Sequence, residues 1–312
     1  MKQIIIKCGD RVLNSWVTNM RALLPEFNIL PYNTPEQINP NEVKYIIGWC
    51  PDALWVNSFS KVKGLVSIGS GVDHIINLDQ LREGISVIRT ISPDLIQRMR
   101  EFISMCVLSW HRQLLPILEA HKNKKWDRFA VSTADEKTVG IMGYGGMGKA
   151  VAELLSFIGY NVCIWANSPR SNDPYKYFSR KDSLKEFASN CDIVVCLLPL
   201  TKETKHILDY ELFSSMKKGG CLINAGRGLH LNETDLGKAM QEGLLSHAFL
   251  DCVNPEPLPP DAFVWTIKNV TVTCHSAAYI SPESGPKIIA NNIRLFEKNQ
   301  FFGPLYNPKL GY

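Results

Sequence analysis

The chain has 312 residues, 45% of them hydrophobic and 21% charged, with a formal net charge of +4. That is an ordinary globular composition, long enough for two domains, and its mild, scattered charge argues against a nucleic-acid partner or a disordered chain. No apolar stretch approaches membrane-spanning length, and the opening run Ile4-Ile5-Ile6 is too short for a signal peptide and reads as a first strand. Nine cysteines occur without a C-x-x-C pair, several of them inside apolar runs (Cys163, Cys196, Cys221, Cys252), where a reduced thiol behaves as a small hydrophobe. This usage fits a reducing cytoplasm rather than a disulfide framework.

Residues 3 to about 90 alternate short apolar runs with helical patterns. Strands are expected at 3–7, 28–30, 45–48, 65–68 and 86–89, with a helix over 12–24 that stops before Pro25. This is a small α/β unit with a parallel sheet. Gly69-Ser70-Gly71-Val72-Asp73 follows its fourth strand. Two glycines at a strand's carboxyl end can present N–H groups to a small carboxylate, or make a plain turn. Trp49, ending the neighbouring strand, either walls the same crevice or belongs to the core. Ser92-Pro93-Asp94 then opens a long helix, expected to reach about residue 121, with Phe102, Met105, Cys106, Leu108 and Trp110 giving it extensive apolar surface.

The stretch from Lys137 to Ile164 organises the rest. A buried strand over 138–142 runs into Gly143, Gly145 and Gly148 at G-x-G-x-x-G spacing, with Gly146 and Met147 completing the loop. A helix follows, Gly159 is placed to end it, and a second strand covers 162–165. Gly143 allows the tight turn, Gly145 lets the backbone approach a pyrophosphate, and Gly148 brings helix and strand close. Strand, glycines, helix and strand within about 30 residues form a strong dinucleotide-binding signal. The second strand ends without the acid that would hold an NAD ribose. Asn167 and Ser168 can instead donate to a 2′-phosphate and Arg170 can pair with it, so NADPH is the expected cofactor and NADH the weaker alternative.

Further strands at 192–198, 221–225, 248–252 and 270–274 bring the count to six, alternating with helices as in the doubly wound Rossmann fold. The last helix, about 283–298, lies beyond this sheet and is expected to return to the first unit. The expected division is therefore 1–93 with 282–312 as a smaller, discontinuous substrate domain and 94–281 as the dinucleotide-binding domain.

Three side chains follow strands of the nucleotide domain and face the edge where such folds bind ligands: Arg227, Glu256 and His275. A guanidinium, a carboxylate and an imidazole are the parts needed to reduce a 2-keto acid. The arginine fork clamps the carboxylate and polarises the carbonyl, the imidazolium protonates the nascent hydroxyl, and the glutamate raises the imidazole's pKa. The remaining histidines form no ligand-spaced set with the cysteines, so no metal is expected.

With these motifs in order, the chain resembles the D-isomer-specific 2-hydroxyacid dehydrogenases over essentially its whole length, and within them the bacterial glyoxylate/hydroxypyruvate reductase A group. The resemblance rests on Gly69 to Asp73, the Gly143–Gly148 loop, Leu197-Leu198-Pro199-Leu200-Thr201 with Glu203-Thr204, Asn224 to Gly228, Asp251 to Pro257, and His275-Ser276-Ala277-Ala278. It implies a flavodoxin-like substrate domain beside the Rossmann domain, and reduction of glyoxylate and hydroxypyruvate by a homodimer. It implies Arg227 as substrate clamp, Glu256 as partner of the histidine and His275 as proton donor. Trp49, Ser70 and Gly71 would take part in binding the substrate. Leu198, Pro199, Thr204, Ala225, Gly226, Asp251, His275 and Ala277 would line the cofactor site. Two relatives of other kinds stay open at this stage: a corepressor-like NAD(H)-sensing protein, and a D-lactate or D-3-phosphoglycerate dehydrogenase. Cys274 departs from the pattern, standing where relatives carry proline and placing a thiol beside the proton donor.

Overall fold

The computed structural model describes residues 1–167, 174–179, 183–301, 303–308 and 311; Ser168 and Arg170 of the expected phosphate-binding segment lie outside the described residues. The chain divides into two compact units, Met1–Leu95 with Ile280–Tyr312, and Ile96–Tyr279.

In the first unit the elements run β1 (Gln3–Lys7), α1 (Asp10–Leu23), β2 (Asn28–Pro31), β3 (Val43–Gly48), α2 (Ala53–Asn57), β4 (Gly64–Ser67) and β5 (Ser86–Ile88). The sheet order is β2-β1-β3-β4-β5 and every pair is parallel, the flavodoxin-like order with its reversal between β1 and β3. Ile4, Ile5 and Ile6 of β1 and Ile46 and Ile47 of β3 are fully buried, because helices cover both faces of a parallel sheet. On α1, Leu13, Trp16, Val17 and Met20 form the buried stripe that the helical period requires.

The long helix starts where its sequence directs: Ser92 Oγ accepts the Leu95 N–H at 3.0 Å, and α3 spans Pro93–His111. It does not continue to residue 121. Gln113 adopts a left-handed conformation (φ 58°) and a separate helix, α4 (Leu114–Lys122), begins after it. Pro116 explains the break. In one continuous helix its ring would clash with the carbonyl of Arg112 and leave that carbonyl without a donor, so the chain turns at 112–113 instead.

The second unit continues through β6 (Thr138–Met142), α5 (Gly146–Ile158), β7 (Asn161–Ala166), β8 (Lys176–Ser179), α6 (Leu184–Ser189), β9 (Ile193–Cys196), α7 (Tyr210–Ser215), β10 (Gly220–Asn224), α8 (Glu233–Gln241), β11 (Leu245–Leu250) and β12 (Val270–Val272). Its sheet is ordered β12-β11-β10-β9-β6-β7-β8, again parallel throughout. This is the doubly wound Rossmann arrangement, reversing between β6 and β9. The described sheet has seven strands where six were expected from the sequence. The extra one, β8, is a four-residue edge strand paired only with β7, too short to carry a periodic signal. α9 (Gly285–Glu297) returns to the first unit and packs on α1, where a Cβ at Gly285 would strike the Trp16 ring. No described helix is long and apolar enough to cross a membrane.

Candidate active site

The reversal between β6 and β9 sets the nucleotide loop. Gly143 has φ 99°, and a side chain there would also stand 2.9 Å from the Leu197 carbonyl oxygen. Gly148 lies so close under the loop that a Cβ would collide with the Gly143 carbonyl oxygen. A Cβ on Gly145 would meet nothing within 4 Å, and Gly145 and Gly146 are exposed. The first intrahelical bond of α5 at this end runs from Lys149 N–H to Gly145 O at 2.9 Å, leaving the N–H groups of Gly146, Met147 and Gly148 at the positive end of the helix. An exposed, side-chain-free backbone ahead of a helix N-terminus fits the pyrophosphate of a dinucleotide. Asn167 is exposed at the end of β7.

After β9, Leu198 is buried and Pro199 half-buried. Thr204, also buried, donates through Oγ1 to Pro199 O and accepts the Thr201 N–H, both at 2.8 Å, so its hydroxyl closes this turn. After β10, Ala225 and Gly226 are buried and lead to Arg227. The Arg227 backbone is fixed from two sides. Asn224 accepts the Gly226 N–H at 3.2 Å and donates to Arg227 O at 3.0 Å. His230 Nδ1 accepts the Arg227 N–H at 3.0 Å, which places the ring's proton on Nε2, 3.3 Å from Pro199 O. Both Asn224 and His230 are fully buried. A Cβ at Gly228 would overlap the Val253 carbonyl, so the arginine turn lies directly on the backbone leading to Glu256.

His275 meets that carboxylate, with Nδ1 2.7 Å from Glu256 Oε2, while Glu256 Oε1 accepts the Val253 N–H at 3.2 Å. The Cys252 thiol joins them, and ligating atoms of Cys252, Glu256 and His275 all lie within 4.8 Å of one another. Hydrogen bonding to Cys252 and Glu256 outweighs burial and pushes the His275 pKa up to about 10. Burial works against ionisation of Glu256, but its hydrogen bond to His275, the charge of that ring, the Val253 N–H and the Arg227 guanidinium together hold its carboxyl below the usual range. Burial pushes the Cys252 thiol up.

Asp251 holds the histidine's turn. Its Oδ1 accepts Thr273 Oγ1–H at 2.8 Å and Ser276 N–H at 2.9 Å, and both carboxylate oxygens lie 3.2 Å from Ala277 N. Its carbonyl accepts the His275 N–H at 2.7 Å. Cys274 and His275 both have positive φ, 55° and 54°. A proline, with φ fixed near −65°, could not occupy position 274 in this conformation. Ala277 is buried behind the turn.

In the first unit, Ser67 Oγ braces the loop after β4, lying 2.9 Å from Gly69 O and 2.8 Å from Gly71 O. His74 Nδ1 accepts the Cys50 N–H at 3.0 Å, so its Nε2 carries the proton that reaches Ser67 Oγ at 2.8 Å. The same imidazole stacks on Trp49, ring centroids 4.1 Å apart, and Trp49 remains 38% exposed. Arg89 Nε donates to Ser70 O at 2.6 Å, setting a guanidinium beside the Ser70–Gly71 backbone. Sequence reasoning overlooked four of these groups as supports: His230, Asn224, His74 and Arg89. His230, three residues past the arginine, was the one with a local signal.

A Rossmann domain with a glycine loop at one strand end and an arginine and a glutamate-paired histidine at the others is the machinery of a dinucleotide-dependent dehydrogenase. Residues 104–277, more than half of the chain, match the family model for the NAD-binding domain of D-isomer specific 2-hydroxyacid dehydrogenases, and the chain belongs to this family. It is 31% identical to glyoxylate/hydroxypyruvate reductase A of Serratia proteamaculans over 95% of this chain and 96% of that protein. Among solved structures it is similar to a probable 2-hydroxyacid dehydrogenase from Rhizobium etli in complex with NADP, HEPES and L(+)-tartaric acid (28% identity, TM-score 0.91, all of both chains covered). It is equally similar to an NADPH-dependent glyoxylate/hydroxypyruvate reductase from Sinorhizobium meliloti in complex with NADP and sulfate (27% identity, TM-score 0.90, all of both chains covered).

The support given by Asp251 is testable. Asp251→Asn turns an amide –NH₂ toward groups that are themselves donors, at a cost of about 1–3 kcal/mol for the unpaired partners. The expected result in thermal unfolding is a lowered midpoint with unchanged far-UV circular dichroism, and an unchanged midpoint would remove Asp251 as the anchor of the turn.

Proposed function

We propose that this chain is an NADPH-dependent reductase of small 2-keto acids, with glyoxylate and hydroxypyruvate as first substrates. The observation that carries the reading is the Glu256–His275 pair at 2.7 Å, with its raised histidine pKa, on the sheet edge that also carries Arg227. In this assignment the Arg227 fork binds the substrate carboxylate and polarises the adjacent carbonyl. His275, held protonated by Glu256, gives its Nε2 proton to the carbonyl oxygen as the hydroxyl forms. In the first unit, the backbone N–H groups of Ser70 and Gly71 are assigned to the substrate carboxylate, with the Arg89 guanidinium adding positive charge and Trp49 supplying an apolar wall. The glycine loop, Asn167 and the turns at Leu198–Thr204 and Ala225–Gly226 are assigned to the dinucleotide, with Asp251 supporting the same edge from below and Ala277 behind it. The reduced nicotinamide, when bound, supplies the hydride for the carbonyl carbon. The NADP-bound relatives support the phosphorylated dinucleotide, and Ser168 and Arg170 are its proposed phosphate partners.

The assay is loss of reduced-nicotinamide absorbance with NADPH or NADH against glyoxylate, hydroxypyruvate and pyruvate. Turnover should be fastest with NADPH and the first two acids. His275→Ala should lose about 10²–10⁴-fold in turnover while NADPH binding, followed by its fluorescence, is kept. Equal loss of both would misplace the proton donor.

The pH profile follows from the same pair. Reduction needs the imidazolium, so a raised pKa keeps the rate up through neutral and mildly alkaline pH and lets it fall as pH rises through about 10. Removing the carboxylate in Glu256→Gln should move this alkaline limb to lower pH. A limb that stays where it is would separate Glu256 from the titration.

We further propose a homodimer working in the cytoplasm. Met105 and Leu108 on α3 and Leu114, Ile117 and Leu118 on α4 are exposed apolar side chains on neighbouring stretches of sequence, a surface suited to a second copy. All nine cysteines carry no disulfide and seven are buried, which suits a reducing compartment. Light scattering should give twice the chain mass, and Leu118→Glu with Ile117→Glu should lower it to one. A wild-type monomer would overturn the assembly without touching the chemistry.

A further inference from the structure

We propose that Cys252, Glu256 and His275 form a binding site for a borderline-soft divalent cation, Zn²⁺ before others, and that its occupancy blocks the reductase. The binding half stands on geometry alone, and the inhibitory half rests on the function proposed above. Cys252 and Glu256 stand four residues apart on the loop after β11, and His275 comes 19 residues later, in the turn after β12. The fold nevertheless brings a thiol sulfur, a carboxylate oxygen and an imidazole nitrogen within 4.8 Å of one another.

Zn²⁺ takes sulfur at about 2.3 Å and nitrogen or oxygen at about 2.0–2.2 Å, so donor atoms around a tetrahedral ion stand roughly 3.3–3.6 Å apart. The Glu256–His275 pair at 2.7 Å must open by well under an ångström, as a carboxylate does by a small side-chain rotation, and the thiol, hydrogen-bonded to His275 and within 4.8 Å of both partners, stands close to ligand distance already. The supports are already rigid. Asp251 N–H donates to Asn224 O at 2.9 Å beside Cys252, Asp251 O holds the His275 N–H, and Val253 N–H orients Glu256. Such outer contacts set ligand direction before the ion arrives.

The burial gradient matches an accessible site. Cys252 is buried at the base, His275 is half-buried and Glu256 is exposed, so three protein donors face a side on which water or substrate can supply the fourth. A thiolate with an imidazole selects Zn²⁺ over Mg²⁺ and Ca²⁺, which prefer all-oxygen sets. Binding releases the thiol proton and one proton of the imidazolium to solvent, and the freed ring nitrogen holds the ion, so His275 can no longer carry the proton that reduction consumes. The Arg227 guanidinium is the opposing charge, and the two anionic donors, thiolate and carboxylate, balance the ion itself. Cys274, exposed and next in sequence to His275, is not one of the three.

The test is Co²⁺ titration of the purified full chain, reading the thiolate-to-Co²⁺ charge-transfer absorption in the near ultraviolet. The band should saturate at one equivalent, disappear on adding Zn²⁺, persist in Cys274→Ser and be absent from both Cys252→Val and Cys252→Ser. No band in the wild type, or a band that survives both Cys252 variants, overturns the site. In the reductase assay, Zn²⁺ should inhibit reversibly by a chelator, and the inhibition should weaken at least about tenfold in either Cys252 variant relative to that variant's own metal-free rate. Equal inhibition of wild type and variants overturns the regulatory half. If no keto acid is reduced at all, the functional reading fails, and the cobalt band still decides the site.

Discussion

The carboxylate of Asp251, 2% exposed, accepts hydrogen bonds from Thr273, Ser276 and Ala277 and thereby ties the end of β11 to the turn that follows β12. That turn places two consecutive non-glycine residues, Cys274 and His275, in the left-handed region, at a cost of order 1–3 kcal/mol each. Hydrogen bonds to a charged acceptor contribute about 1.5–3 kcal/mol apiece, so three donors on one buried carboxylate are enough to offset the strain. What the strain produces is the direction of the imidazole. His275 is turned onto Glu256 and toward Cys252, and its chemistry depends on that direction.

Parallel topology explains why these groups share an edge. In a doubly wound sheet every strand points the same way and every carboxyl end opens on the same side, so the loops after β6, β9, β10, β11 and β12 are gathered without any of them being adjacent in sequence. The edge is then stiffened by polar groups that touch no substrate in the proposed scheme. Asn224 and His230 hold the arginine's backbone, Thr204 closes the turn at Pro199, and the Gly228–Val253 contact presses the arginine loop onto the glutamate loop. Asn224, His230 and Thr204 are buried, where a lost partner is expensive, and this gives the edge one arrangement rather than several.

The first unit follows the same logic on a smaller scale. Its glycine-containing loop is braced by Ser67, whose hydroxyl is in turn oriented by His74 and, through the stacked ring, coupled to Trp49. In the second unit the buried thiol of Cys252 is the unusual component. A hydrophobic residue would fill the same space, and the sulfur adds a soft ligand to an acid–base pair.

Much of this was readable from the chain alone, where the determinant is local. The glycine loop announces itself because turn, backbone access and helix packing fall on residues a few positions apart, and Gly143, Gly145 and Gly148 occupy the three environments their spacing implies. Most of the strands, and the side chains proposed for the chemistry, Arg227, Glu256 and His275, could be singled out because the apolar runs end shortly before them. The break at Gln113 went unread because apolar periodicity runs straight through it, although Pro116 carried the warning; β8 went unread because four edge residues have no period. The supports of the site were hidden for a different reason. Asp251 and Thr273, His230 and Pro199, His74 and Cys50, and above all Cys252 beside His275 are pairings across loops or strands, set by register and by which carboxyl ends become neighbours. Sequence fixes which donors, acceptors and ligands the chain owns and where its local turns fall; only the tertiary structure decides which of them meet, because distances between strand ends are not encoded in the spacing along the chain.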